Sequence, residues 1–240
     1  MAIPDLKLDA LREWARLEVQ LTAPPAPVRP RALVARRALG LVARLLLFAV
    51  LPFLILVRVS VFWYSHFRSS TWLGLVVGVC GMVVVVTAYA AWLSQRLTGR
   101  ARVLVVARRV ALPLVLAYVG YTLVYLSSVN AKSERVRAYY ASLHPLLRVA
   151  LSTWILVDRD IVITDVARRR EDHAAMGLPV NDGTLHYRQR DGYAHAADLR
   201  TVGRGAVENR LVQLYFWSMG FDTLRHMGTA DHLHVGLPVR

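Results

Sequence analysis

Long apolar runs alternate with short polar loops over the first 130 residues of the chain. Residues 45–64 contain a single charge, Arg58, close to the far end of the run. Residues 72–93 and 110–128 contain no charged side chain. A helix needs about 20 apolar residues to cross the hydrocarbon core of a bilayer. The pattern therefore predicts three transmembrane helices, at about 45–64, 72–93 and 110–128.

Arginine residues are distributed unevenly around these three runs. Five lie between positions 29 and 44, five lie between positions 96 and 109, and the loop between the first two runs holds only Arg68. Membrane proteins concentrate lysine and arginine in their cytoplasmic loops. We therefore predict a cytoplasmic N-terminus and an extracytoplasmic C-terminal part after about residue 128. The first run begins too late for a cleaved signal peptide, so we expect it to remain as an anchor.

Composition supports a membrane protein and argues against a nucleic-acid partner. The chain is 55% hydrophobic, more apolar than a soluble domain requires. Residues 1–130 hold fifteen Lys and Arg against four Asp and Glu, and residues 131–240 hold fifteen against twelve. Thus +11 of the net charge of +14 lies among the apolar runs, which fits membrane orientation better than nucleic-acid binding. The single cysteine, Cys80, can form no intrachain disulfide.

An amphipathic stretch precedes the first apolar run. Residues 5–21 place five leucines and Trp14 near one helical stripe, with charged side chains between them. A proline-rich segment at 23–27 then forms a stiff spacer. We assign residues 1–30 to a cytoplasmic helix and spacer, and residues 31–130 to the membrane region. The helix could bind the membrane surface or a protein partner, or it could be a solvated helix that leans on the protein's own loops.

Residues 131–240 carry shorter periodic segments, enough for one compact domain. Helical spacing of apolar residues extends over 131–151, and a second helical segment, 205–219, is followed by Gly220 as a C-terminal cap. Short apolar segments predict strands at 155–157, 161–164, 197–201 and 233–237. Helices and strands that segregate in this way are typical of an α+β domain with a mostly antiparallel sheet and flanking helices.

Histidine and aspartate recur in two short motifs of this region. Thr184-Leu185-His186-Tyr187 precedes Ala197-Asp198, and Asp231-His232-Leu233-His234 lies at the start of the last predicted strand. His232 and His234 are two positions apart, so on a strand both side chains face the same side and can reach one cavity. An H-x-H pair alone is a weak signal, so its meaning depends on the segments around it.

The motifs follow the order T-L-H-Y, A-A-D-L-R-T, helix, G-F-D and H-L-H-V. This order resembles the zinc domain shared by D-alanyl-D-alanine carboxypeptidases, peptidoglycan endopeptidases of the LAS group and the hedgehog signalling domain. The resemblance covers residues 155–238 and none of the membrane half. It implies Zn²⁺ as cofactor, held by His186, Asp198 and His234. Two neutral imidazoles and one carboxylate leave a zinc position open for a nucleophilic water, whose pKa falls to about 7.

The resemblance leaves the proton acceptor open between two neighbours. Asp231 occupies the position of a glutamate in the carboxypeptidases, and His232 occupies the first place of the H-x-H variant. We favour His232, because Asp231 is one methylene shorter than glutamate and would face away from the metal on a regular strand. Upstream, I-T-D-V-A-R resembles the family's T-S-G-Y-R, which makes Arg168 the candidate for holding the substrate, with Arg169 and Arg170 as rivals.

One departure from the family concerns the first ligand. His186 and Asp198 are twelve positions apart, where the family has seven, which implies extra residues within 188–194. A loop that leaves and returns would keep His186 as the ligand, and its T-L-H-Y context favours it. If the spacing of seven were kept, Asp191 would occupy the first ligand position. If the extra residues were left out of the comparison, His195 would be the candidate.

Topology and motifs together predict a membrane-anchored zinc peptidase that hydrolyses peptide bonds of bacterial peptidoglycan. It would act as a carboxypeptidase or an endopeptidase, in a bacterium or encoded by a phage, through an extracytoplasmic domain at residues 131–240. One alternative is a catalytically degenerate domain that binds the wall or a protein partner, and another, from the spans alone, is a pore-forming protein. His144, His173 and His226 have no such context and are predicted to be structural or solvated.

Overall fold

The computed structural model describes residues 5–22, 30–169, 171–172, 183–228 and 231–239. The chain divides into two compact units between Leu47 and Phe48. Helix α1 (Asp5–Thr22), in the first unit, confirms the predicted amphipathic helix, and its Trp14 is exposed. The predicted spacer at 23–27 lies outside the described residues.

Three helices that follow are long and apolar enough to cross a membrane. They are α2 (Pro30–Phe67), α3 (Thr71–Thr98) and a third helix made of α4 (Val103–Val106), a π-helical turn (Ala107–Ala111) and α5 (Leu112–Val124). The three predicted apolar helices are therefore present, and each begins before its predicted span. The third starts at Val103, so Arg108 and Arg109 lie within the helix rather than before it.

Small residues allow α2 and α3 to approach each other closely. A Cβ at Gly78 would overlap Ser60 Oγ and lie 2.5 Å from the carbonyl oxygen of Leu56. A Cβ at Gly74 would lie 3.0 Å from the carbonyl oxygen of Ser60. Close backbone packing of this kind is a main source of attraction between apolar helices in lipid. The α2–α3 pair therefore depends on glycine at these two positions.

Short helices and one small sheet form the described part of residues 128–239, which we call the C-terminal region. Its helical elements are a 3-10 turn (Ser128–Asn130), α6 (Glu134–Tyr139), a second 3-10 turn (Tyr140–Ser142), α7 (Pro145–Ile155) and α8 (Ala206–Met219). Its strands are β1 (Ile163–Asp165), β2 (Ala196–Arg200), β3 (Asp222–His226) and β4 (His232–Gly236). All neighbouring strands are antiparallel, in the order β1-β2-β4-β3. Three long apolar helices and an antiparallel sheet with helices agree with the coarse prediction.

Two predicted elements of the C-terminal region were wrong. The helix predicted over 131–151 is broken, because His144, with φ −53° and ψ 133°, leaves helical geometry before Pro145 starts α7. The strand predicted over 155–157 is instead the last residue of α7 and the turn that follows it. A short apolar run fits a buried helix end as well as a strand, and periodicity alone does not separate them.

The other predicted elements lie close to their expected positions. Strands β2 and β4 and helix α8 begin within one residue of prediction, and β1 overlaps the predicted strand at 161–164. Gly220 ends α8 with a φ of 98°, a left-handed conformation that favours glycine. Strand β3 was not predicted, because its side chains alternate between exposed and half-buried positions and offer no apolar face.

Helix α7 joins the sheet to the long apolar helices. Its side chains are buried from Pro145 to Thr153. The hydroxyl groups of Tyr118 on α5 and Thr153 lie 2.9 Å apart, and Tyr215 of α8 donates to the carbonyl of Ala150 at 3.0 Å. One continuous core therefore includes side chains of these helices and of the sheet.

Replacing Gly78 with alanine should destabilise the helix pair, because the added Cβ would overlap Ser60 and push α2 away from α3. We expect a loss of about 1–3 kcal/mol in the free energy of unfolding, the range for overpacking. Gly120→Ala is the matched control, since a Cβ there meets no described atom of another element within 4 Å. Thermal unfolding of both variants in detergent micelles measures the difference. An unchanged midpoint for Gly78→Ala would contradict the close approach.

Candidate metal centre

Two neighbouring strands bring an aspartate and a histidine together. Asp198 of β2 and His234 of β4 are directly opposite in the strand register, so their side chains lie on the same face of the sheet. His234 Nδ1 lies 2.8 Å from Asp198 Oδ1. Strand pairing therefore joins two of the three side chains that the resemblance implied as ligands.

His186 reaches the same carboxylate from a turn that precedes β2 in the chain. Its Nδ1 lies 2.9 Å from the carbonyl oxygen of Val166, and its Nε2 lies 3.3 Å from Asp198 Oδ1. A carbonyl oxygen accepts a hydrogen bond from Nδ1–H, which directs Nε2 toward Asp198. Metal-binding histidines are commonly oriented by a carbonyl or a carboxylate in this way.

His186, Asp198 and His234, which we call the triad, have donor atoms that all lie within 4.8 Å of one another. His186 and Asp198 are each 4% exposed, whereas His234 is half-buried and borders a cavity. Two imidazoles and one carboxylate beside a cavity match the ligands of catalytic zinc sites, which keep one position for water. The donor set and the orientation of His186 by Val166 therefore fit a zinc ion.

Asp198 and His186 stabilise each other's charged forms. Burial acts to raise the pKa of Asp198, but hydrogen bonds from His186 and His234, together with the charges of His186 and His232, lower it well below its ordinary value. Burial likewise acts to lower the pKa of His186, but the hydrogen bond and charge of Asp198 outweigh burial and raise it. These shifts favour an imidazolium–carboxylate pair, whose proton a zinc ion would displace.

His232 lies beside the triad. It is on β4, two residues before His234, and its Nε2 lies 3.8 Å from Asp198 Oδ2. Its ring stacks on that of His226, directly opposite in β3, with centroids 4.7 Å apart. His226, predicted to be structural or solvated, thus supports the ring of His232, a contact that depends on the pairing of β3 with β4. The position of His226 one strand before the H-x-H motif is the sequence signal for this contact. His173 lies outside the described residues.

Asp231 is held by a separate set of contacts. Its carboxylate accepts hydrogen bonds from Thr201 Oγ1 and from Arg225, with Nη2 at 3.0 Å from Oδ2 and Nε at 3.3 Å from Oδ1. The bond from Arg225, followed by that from Thr201, lowers the pKa of Asp231. A carboxylate held in its charged form by an arginine is a poor proton acceptor. This geometry favours His232 over Asp231 in that role.

Arg168 also contacts the triad. Its Nη2 lies 3.4 Å from Asp198 Oδ2, and its Nε donates to Asp165. Of its two rivals, Arg169 instead lies over an aromatic ring of α6, 6.0 Å from the ring centroid, and Arg170 lies outside the described residues. Of the two described arginines, Arg168 is therefore the one placed at the triad.

The extra residues before β2 form a loop that leaves and returns. Arg188 pairs with Ala194 as an isolated bridge, and Gln189 N donates to the carbonyl of Tyr193 at 2.8 Å. Because the loop closes on itself, the longer spacing still leaves His186 beside the aspartate of β2.

The two alternative first ligands, Asp191 and His195, belong to a different group. Asp191 Oδ2 lies 2.9 Å from His195 Nε2 and 3.5 Å from His144 Nε2. We call these three residues the second cluster, which is separate from the triad. His144, predicted to be structural or solvated, is buried at 0% exposure within it. The fold therefore brings His186, rather than either alternative, to Asp198.

A cavity of about 930 Å³ opens over the triad. Its lining includes the triad and three side chains near it, His226, Asp231 and His232. Three cationic side chains also line it, namely Lys132, Arg168 and Arg200. Asp165, Asp198 and Asp231 line the same cavity, so its charged side chains are of both signs, and Lys132 and Arg200 are cationic groups that can bind a carboxylate of a ligand. Lys132 and Arg200 were not predicted as site residues, because only the folded chain places them at this cavity.

Comparisons with known proteins leave the site to be judged on its own residues. The chain matches no protein-family model, no curated protein and no solved structure. Support for a metal centre therefore comes from the donor set, its burial and its geometry, and the resemblance of the motifs stays a hypothesis.

The stability of the metal-free protein should fall as pH rises through the neutral range. The pKa of His186 is raised in the folded state, so its contribution is fully present below the ordinary value of 6.5 and is lost as pH rises through the folded value. Thermal unfolding with a chelator between about pH 6 and pH 9 measures this slope. His186→Gln should lack the slope, and His66→Gln, at an exposed histidine, should keep it. Equal slopes for the wild type and His186→Gln would contradict the charged pair.

Proposed function

We propose that this chain is a membrane-anchored zinc peptidase that hydrolyses peptide bonds of bacterial peptidoglycan, as a carboxypeptidase or an endopeptidase. The observation that carries the proposal is the convergence of His186, Asp198 and His234 on one cavity, with His232 beside them. Their donor set is that of a catalytic zinc site. Their order along the chain resembles that of peptidoglycan peptidases, which adds support from an independent direction.

The triad would hold the metal through two imidazoles and one carboxylate. A zinc ion in such a site supplies Lewis acidity and a bound water whose pKa is lowered to about 7. The protein's own part is orientation and charge. The carbonyl of Val166 orients His186, and the lowered pKa of Asp198 keeps its carboxylate charged throughout the physiological range.

His232 is the proposed proton acceptor. Its Nε2, 3.8 Å from Asp198 Oδ2, borders the same cavity, and its ring is supported by stacking on His226. An imidazole nitrogen can accept and donate a proton, so Nε2 would take a proton from the attacking water and return it to the leaving amine. Asp231 is less suited because Arg225 holds its carboxylate in the charged form.

Arg168 is the proposed substrate-holding residue. A guanidinium has five N–H donors, of which Asp165 and Asp198 occupy only some. Since Arg168 lines the cavity, its remaining donors can bind a carbonyl or carboxylate of the substrate peptide. Lys132 and Arg200 add positive charge to the same cavity.

The proposed location is a cell membrane, with several spans and the site on the extracytoplasmic side. Three long apolar helices support the membrane, and the arginine clusters at 29–44 and 96–109 support the orientation. Peptidoglycan lies on that side. Helix α1, with Trp14 exposed, is a candidate for contact with a protein partner, and no nucleic-acid partner is proposed.

A second candidate function is binding of the wall, or of a partner, without cleavage. It is favoured by the long spacing between His186 and Asp198, which departs from the family pattern. Against it stands the geometry of the loop at 188–194, which closes on itself and leaves the triad together.

Zinc content and muropeptide cleavage should both depend on the triad. His186→Ala and His234→Ala in the full-length protein should each lower the zinc content by one ion per chain and abolish cleavage. Loss of a group that only supports a ligand weakens metal binding by roughly 10–100-fold. Removal of a ligand itself should weaken zinc binding by more than that. His66→Ala is the control at an exposed histidine. Metal analysis and chromatography of the released peptides measure the two outcomes.

The wild-type protein distinguishes the two candidate functions. Binding of peptidoglycan without cleavage, by a correctly folded wild type, would favour the non-catalytic alternative. A wild type that cleaves no muropeptide, and whose zinc content is unchanged by His234→Ala, would contradict the peptidase proposal.

His232→Gln should reduce kcat by about 10²–10⁴-fold, the contribution of a positioned general base, because glutamine cannot take up the proton. Zinc content should stay unchanged, since His232 lies outside the triad. Asp231→Asn is the comparison and should retain most of the turnover. Kinetics on a purified muropeptide measure both variants. A larger loss for a folded Asp231→Asn than for His232→Gln would reverse the assignment of the base.

A further inference from the structure

The second cluster lies where the C-terminal region meets the start of α3. Its three residues, His144, Asp191 and His195, have donor atoms that all lie within 4.8 Å of one another. Asp191 Oδ2 is 2.9 Å from His195 Nε2 and 3.5 Å from His144 Nε2. Thr71 Oγ1, on the first turn of α3, is 2.8 Å from His144 Nε2. Four donor atoms therefore converge in one place.

The second cluster is buried but accessible from one side. His144 and His195 are 0% and 1% exposed, whereas the Asp191 side chain is 31% exposed. Buried polar nitrogens need a partner, so each ring nitrogen of the two histidines has to be accounted for. Asp191 is therefore the member of the cluster from whose side an ion would enter.

Both ring nitrogens of His195 face hydrogen-bond acceptors, whereas a neutral imidazole has one N–H to donate. Its Nδ1 lies 3.3 Å from the carbonyl oxygen of Leu237, and its Nε2 faces the carboxylate of Asp191. Both partners can only accept, whereas a neutral imidazole carries a single N–H. With the proton on Nδ1, a cation at Nε2 satisfies the second contact without leaving a charge on a fully buried ring. His186 in the triad has the same combination of a carbonyl and a carboxylate.

His144 is fully buried. Its ring is 0% exposed, an environment that favours the neutral imidazole, which is the form that binds metal ions. Its Nδ1 accepts a hydrogen bond from Leu146 N at 3.3 Å. Ligation through Nε2 would put the proton on Nδ1, so His144 would give up this cap of α7 and the Leu146 N–H would have to move away from the ring.

We propose that His144, Asp191 and His195 bind a second zinc ion, with Thr71 on the fourth side. Two imidazoles and one carboxylate suit zinc, whereas magnesium and calcium take oxygen ligands. Because protein side chains surround the ion, the site is structural rather than catalytic. It fastens the loop at 188–194 and the start of α7 to the start of α3.

Zinc stoichiometry of the full-length chain in detergent tests the proposal. The double variant His186→Ala/His234→Ala, which we call the triad background, lacks both histidines of the triad. It should still bind one zinc ion per chain when titrated with zinc alone. Adding Asp191→Asn to the triad background should abolish this binding. Removal of a group that only supports a ligand lowers metal affinity by roughly 10–100-fold, and removal of the ligand itself should lower it by more. Asparagine retains the Oδ1 that accepts from Tyr193 N at 3.1 Å, so the loop keeps its turn.

Three further measurements keep the outcome decisive. Asp222→Asn, at an exposed aspartate, is the matched control and should leave zinc binding unchanged. Asp191→Asn in the otherwise wild-type chain should lower zinc content by one ion, which covers the case in which the triad background folds poorly. A chelator should lower the unfolding temperature of the triad background, and this effect should disappear when Asp191→Asn is added.

Two results would overturn the proposal. The first is that the triad background folds but binds no zinc. The second is that Asp191→Asn leaves the zinc content unchanged, both in the triad background and in the otherwise wild-type chain. The second cluster would then be a hydrogen-bonded part of the core. Failure of the peptidase proposal is distinguishable, because it concerns the zinc ion lost with His234→Ala and the cleavage of muropeptides.

Discussion

The buried carboxylate of Asp198 is the charge on which the arrangement of the C-terminal region depends. It is 4% exposed in β2, an inner strand of the sheet, where an unpaired charge would cost far more than the fold could tolerate. His186, His234 and Arg168 each place a nitrogen within 3.4 Å of it. These nitrogens come from three separate parts of the chain. The contacts that neutralise the carboxylate are therefore also the ones that assemble the candidate metal site, and binding of a metal there would be coupled to folding.

The two histidine–aspartate clusters have the same composition and different surroundings. The triad borders a cavity of about 930 Å³, so a ligand can reach it. The second cluster lies between the sheet and the start of α3, with its two histidines buried. Solvent access, rather than the identity of the donors, separates a site suited to chemistry from one suited to holding elements together. The loop that lengthens the spacing between His186 and Asp198 supplies Asp191 to the second cluster.

Helix α7 ties this region to the apolar helices. Its side chains from Pro145 to Thr153 are buried, and it packs against α3 and α5 as well as the core of the sheet. The candidate site is therefore not carried on a flexible linker after the last apolar helix. If the chain is the proposed peptidase, this packing would hold its site close to the membrane surface, and the substrate would be the part of the wall nearest the membrane.

The sequence by itself determined the three apolar helices, because length and the lack of charge are local properties that suffice to define them. It also determined β2, β4 and α8, whose periodicity is clear. Only the tertiary structure decided that His186, rather than Asp191 or His195, meets the central carboxylate, because that choice depends on the path of a closed loop. Likewise, the pairing of Asp231 with Arg225 depends on how β3 and β4 align. Such contacts arise between segments whose local patterns carry no information about each other.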